Sequence, residues 1–132
     1  MNIKVDIYLL FSIVILFLFK QLETFLILYF FIILHEAAHI VVATALKIKV
    51  KEISFLPFGV NAKFELKNDL KKEIIISCAG PIFSLLVAIM VEEFKFQNLF
   101  IFFTNMIPIF PLDGGRILKN SILLIFREYK RY

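Results

Sequence analysis

His35, Glu36 and His39 are the residues in this 132-residue chain best spaced to do chemistry. Positions four apart share one face of a helix, so the imidazoles of His35 and His39 can grip one divalent ion. Glu36 follows the first histidine directly and can take a proton from a water held on that ion. Histidine, glutamate and histidine in the H-E-x-x-H pattern are the means by which zinc is used to hydrolyse peptide bonds. The motif is embedded in apolar sequence, with Phe25 to Ile33 before it and Val41 to Ala43 after it. A stretch this greasy is long enough to be a membrane span, which places the chemistry inside a bilayer.

A catalytic zinc takes three protein ligands and keeps a fourth position for water. The chain has only two histidines and a single cysteine, Cys78, so the third ligand falls to a carboxylate. Asp113 is the strongest candidate, with apolar sequence before it and Gly114-Gly115 after it. The glycines would let the backbone unwind and turn the carboxylate inward. Glu92 and Glu93 belong to the opposite membrane face. Asn105 has two readings, a polar contact between helices or a donor to the substrate peptide or oxyanion. Arg116 reads as an interfacial anchor whose head snorkels to water, and Cys78 as a small packing residue. A lone helical histidine is more often a packing residue, and an aspartate in a Pro-Gly turn is often a simple helix end. Three ionisable groups within one apolar span are costly, however, and point to function.

Positioning these groups requires membrane helices. Hydrophobic residues make up 61% of the chain and the mean hydropathy is +0.88, well above what a soluble domain carries. One cysteine excludes an internal disulfide and a cysteine-cluster metal site. The net charge of +4 does not indicate nucleic acid, because the lysines sit at the ends of apolar runs. The expected fold is an all-α membrane protein with about four transmembrane helices. The first covers Ile7 to Phe19 and its flanks, the second about Phe25 to Leu46, and the third Ile74 to Val91. The fourth is discontinuous, broken at Pro108 to Gly115 and resuming at Ile117, which would bring Asp113 to the depth of the histidines. Alternating residues between Lys47 and Lys72 predict a short β-hairpin close to the membrane surface. That segment carries seven lysines and the tail from Arg116 onward five basic residues. The positive-inside rule then makes both termini cytoplasmic in a multi-pass protein of the cell membrane.

His35-Glu36-Ala37-Ala38-His39, together with Asn105-Met106-Ile107-Pro108 leading into Leu112-Asp113-Gly114-Gly115, resembles the site-2 protease family of intramembrane zinc metalloproteases. Ala79-Gly80-Pro81 is similar to a third element of that family. Leu56-Pro57-Phe58-Gly59 resembles a strand-rich insertion in the branch of stage IV sporulation protein FB. The resemblance spans residues 25 to about 119, the active-site core of a single domain covering 1–132. It implies one zinc ion on His35, His39 and Asp113, with Glu36 as the catalytic glutamate. It also implies cleavage of a membrane-tethered protein, which in the sporulation branch is an inactive, membrane-associated sigma-factor precursor of a bacterial cell. The bilayer and a regulatory membrane protein are the further expected partners. Ser84 stands where many relatives carry asparagine, Gly59 is single where the branch often has two glycines, and no regulatory C-terminal domain is expected after Tyr132. The rival from another class is a small metal-binding transporter or sensor, which needs the three ligands but no general base.

Overall fold

The computed structural model describes residues 2–57, 59–65, 69–109 and 112–131, apart from the side chains of Tyr129 and Arg131. Its elements in chain order are β1 (Asn2–Val5), α1 (Ile7–Leu18), α2 (Leu22–Ala45), β2 (Val50–Leu56), β3 (Gly59–Phe64), α3 (Leu70–Met90), α4 (Lys95–Asn105) and α5 (Asp113–Arg131), with a 3-10 turn at Glu92–Phe94 before α4. The protein is mostly helical with one small sheet. Among the described residues two helices, α2 and α3, are long and apolar enough to cross a membrane, and α1 is a shorter apolar helix.

Local chemistry sets the helix limits. Asp6 caps α1 by accepting from the Tyr8 amide at 3.1 Å, and Asp69 caps α3 by accepting from the Lys72 amide at 3.2 Å. Lys20 and Lys47, just past the ends of α1 and α2, take left-handed backbone with φ of 58° and 61°. That conformation terminates a helix by turning the chain back on its last carbonyls.

The surface is inverted relative to a soluble protein. Large apolar side chains such as Phe11, Phe17, Ile89, Phe96 and Phe103 are exposed, whereas His35, His39, Ser77, Ser84, Asn98, Asp113 and Asn120 are buried. An apolar exterior around a polar interior suits a hydrocarbon solvent. The helices pack about α3, which touches α2, α4 and α5.

Three features depart from expectation. The chain start, ahead of the first expected span, is the strand β1, which pairs in parallel with Glu52–Phe55 of β2 and makes the sheet three-stranded in the order β1-β2-β3. Its alternation of Asn2, Ile3, Lys4 and Val5 is a strand pattern in miniature. Next, the hairpin does not stay at the end of α2 near Lys47. It runs back along the helix until the Tyr29 hydroxyl, in the first third of α2, meets the Leu56 and Gly59 carbonyls. Ile53 and Ala62 are paired in register, and Ala62 is buried where β3 packs on α2. Finally, the helix expected to break at Pro108 to Gly115 and resume at Ile117 ends at Asn105 and resumes at Asp113, so Gly114 and Gly115 are helical. Of the expected break, Phe110 and Pro111 lie outside the described residues, as does Phe58 of the hairpin turn.

Candidate metal centre

The ligand geometry is built by two antiparallel helices. Along α3, Ile76, Gly80 and Ser84 recur every four residues and so form one stripe. The stripe faces His35 and His39 of α2. His39 Nδ1 lies 2.6 Å from the Ile76 carbonyl oxygen, and His35 Nδ1 lies 2.8 Å from the Ser84 hydroxyl. A carbonyl only accepts, so the proton of the neutral His39 ring sits on Nδ1 and the Nε2 lone pair faces inward. Ser84 can accept from His35 in the same way, orienting the second ring as ligating histidines generally are.

The two inward nitrogens converge on Asp113. His35 Nε2 lies 2.9 Å from Asp113 Oδ2, His39 Nε2 lies 3.2 Å from the same oxygen, and the two nitrogens are 3.3 Å apart. Ligand atoms about 2.0–2.1 Å from a tetrahedral zinc are roughly 3.3 Å from one another. Three lone-pair donors at this spacing need a proton or a metal cation among them. The three residues are buried and are the metal-capable cluster found among the described residues. The donor set, two imidazoles and one carboxylate, is one that catalytic zinc uses.

Gly80 makes room for it. A Cβ at this position would run into Nε2 of both His35 and His39, so any larger residue would push the ligand nitrogens off their common point. Gly80→Ala is expected to weaken zinc binding roughly 10- to 100-fold while the helices remain folded. Zinc analysis of the purified variant checks this, and a full zinc complement would show that the stripe does not set the site. Gly114 serves a parallel purpose, because a Cβ there would collide with the Met106 carbonyl where the broken segment crosses the start of α5.

The cluster opens onto a cavity of about 620 Å³ between α2, the hairpin, α4 and the start of α5. Glu36 lines it beside His35, His39 and Asp113, and its carboxylate interacts with the Ala62 amide of β3. Asn105 also lines the cavity, but its side-chain amide donates to the Ile101 carbonyl of its own helix at 2.9 Å. One N–H and the amide oxygen are left to face a ligand. Arg116, read from the sequence as an interfacial anchor, lines the cavity one helical turn beyond Asp113. The three-residue spacing of Asp113 and Arg116 was the available signal. Ser84 was noticed only as a departure from a pattern. Its four-residue spacing from Gly80 was the clue to its place beside His35. The remaining cavity wall is apolar, from residues such as Phe25, Leu28, Ile32 and Phe100.

Residues 23–95 match the sequence profile of peptidase family M50. The chain is 32% identical over 114 residues to stage IV sporulation protein FB of Bacillus subtilis, a match covering 74% of this chain and 40% of that protein. It is 33% identical over 112 residues to a zinc metalloprotease of Methanocaldococcus jannaschii, covering 72% of this chain and 33% of the relative. The chain thus spans less than half the length of these curated relatives. The solved site-2 protease from Methanocaldococcus jannaschii superposes with a TM-score of 0.76 at 28% identity, over 92% of this chain and 66% of that one.

Proposed function

This chain belongs to peptidase family M50, and on that premise we propose that it is an intramembrane zinc metalloprotease acting on a membrane-tethered protein. The observation that carries the reading is the convergence of His35 Nε2, His39 Nε2 and Asp113 Oδ2 at the wall of a cavity that also holds Glu36. His35, His39 and Asp113 hold one zinc. When bound, zinc polarises water and the scissile carbonyl.

The chain's own residues supply the remaining steps. Glu36 accepts the proton of the attacking water and delivers it to the leaving amine. Arg116 and the free N–H of Asn105 offer positive charge and a hydrogen bond where the oxyanion develops. The apolar cavity wall keeps bulk water away from these charges. Among the described residues β3 is an edge strand, paired on one side by β2, and Gly59, Val60, Asn61 and Phe64 line the cavity. An unwound substrate segment added to that edge would present its carbonyls to Glu36. A helical substrate hides them.

The topology that fits has four crossings with both termini in the cytoplasm. α1 alone spans about 18 Å, so the first crossing is short and relies on its flanks and on local thinning of the bilayer. α2 and α3 cross singly, and α4 with α5 forms the broken fourth crossing. A hairpin at membrane depth is tolerable because it is paired and lines a cavity. Reporter fusions after Lys72 and Lys95 should read opposite sides, and finding both on one side would rule this arrangement out. The name of the Bacillus subtilis relative points to sporulation as a setting; the sigma-factor precursor and the regulatory membrane protein are what the family resemblance implies. Activity itself is tested in phospholipid vesicles. The purified protein should cut fluorescently labelled casein, and 1,10-phenanthroline should stop it. Cleavage resistant to chelation would refute the metalloprotease assignment.

A further inference from the structure

The Tyr29 hydroxyl lies 3.0 Å from the Leu56 carbonyl oxygen and 3.3 Å from the Gly59 carbonyl oxygen. These two carbonyls bracket the turn between β2 and β3. One hydroxyl has one proton to donate, so it serves both acceptors as a shared or alternating bond. At the other end the hairpin is closed by the Glu65 amide donating to the Lys49 carbonyl at 2.9 Å. Between these two ends, β3 contacts α2 through its apolar face. Gly59 has φ of 151°, a backbone conformation that residues with side chains rarely adopt. The phenol thus ties the end of β2 to the start of β3.

Tyr29 is seven residues before Glu36, which places both on one face of α2 about 10 Å apart. β3 covers the same interval, running from Gly59 beside Tyr29 to Ala62 beside Glu36. Tyr29 itself lines the cavity. A shift of the hairpin tip would therefore move the β3 edge relative to the histidines and Glu36. Strand addition needs a fixed edge, because a slip of one residue reverses every side chain.

We propose that Tyr29 is a positioning residue whose hydroxyl clasps the hairpin turn to α2 and thereby fixes the β3 edge on which an extended substrate is captured. This rests on the proteolytic reading above and deepens it. The clasp acts on capture, not on the metal or the proton transfer. Loss of the hydroxyl should therefore raise KM and leave kcat and zinc content unchanged.

The test compares wild type with Tyr29→Phe, which keeps the ring and its packing, in the same phospholipid nanodiscs. Hydrogen exchange should quicken roughly three- to tenfold in the β2 and β3 amides, as loss of one neutral hydrogen bond allows, while α2 exchanges as before. KM for labelled casein should rise by a similar factor at constant kcat and constant zinc per chain. Hairpin exchange at the wild-type rate would overturn the clasp. So would a loosened hairpin with kcat reduced and KM unmoved. A loosened Tyr29→Phe hairpin in a protein whose wild type cuts nothing would overturn the proteolytic reading while the clasp itself stands.

Discussion

Glu36→Gln is expected to abolish proteolysis while leaving zinc bound. Glutamine nearly matches glutamate in size, so the cavity and the histidines flanking position 36 keep their places. What is lost is the base. The amide cannot take the proton of the attacking water or return one to the leaving amine, and such proton transfer contributes about 10²–10⁴-fold. Glu36 is outside the convergence of His35, His39 and Asp113, so the metal count should not change. This variant also separates the protease from the rival transporter or sensor. A protein that only handles metal would be indifferent to Glu36→Gln. Cleavage within a fewfold of wild type would remove Glu36 from the mechanism.

Asp113→Asn is expected to cost both metal and activity. The carboxylate approaches both imidazoles through a single oxygen, at 2.9 and 3.2 Å. A neutral amide is a poor zinc ligand, and it leaves the two histidines with no anionic partner. Zinc per chain should fall clearly below one and cleavage should fall at least about a hundredfold, the scale of loss that misplaced catalytic groups bring. Asp113→Glu keeps the charge but lengthens the arm by a methylene, so it should retain more zinc than Asp113→Asn while remaining slow. Wild-type zinc content and cleavage in Asp113→Asn would refute its assignment as a ligand. Glu65 and Asp69 would then be the carboxylates to examine.

The two histidines were legible because helical periodicity alone puts positions 35 and 39 on one face. Asp113 was reachable by elimination, since the chain has no third histidine, but its setting was not. Glycines suggested unwinding, whereas Gly114 and Gly115 are helical and Gly114 serves close packing against Met106. The Ile76, Gly80 and Ser84 stripe has a readable period, yet period gives no facing partner, so its grip on His35 and His39 emerged only from the packing of α3 against α2. The hairpin was legible as alternation between Lys47 and Lys72. Its course along α2, where Ala62 is buried and pairs with Ile53, was not, because alternation gives no packing partner. The place of Arg116 at the cavity was not legible either: a basic residue near the end of an apolar run has two outlets, water or a polar cavity, and local sequence does not choose between them. The strand β1 was missed because four residues make a weak pattern until a partner strand is known.

The central claim is that one zinc, held by His35, His39 and Asp113, enables peptide hydrolysis. The most direct measurement titrates zinc into chelator-stripped protein in phospholipid vesicles and follows bound metal and casein cleavage in the same samples. Cleavage should rise in proportion to bound zinc and saturate at about one ion per chain. Cleavage by the stripped protein, or saturation with zinc without any cleavage, would contradict the claim.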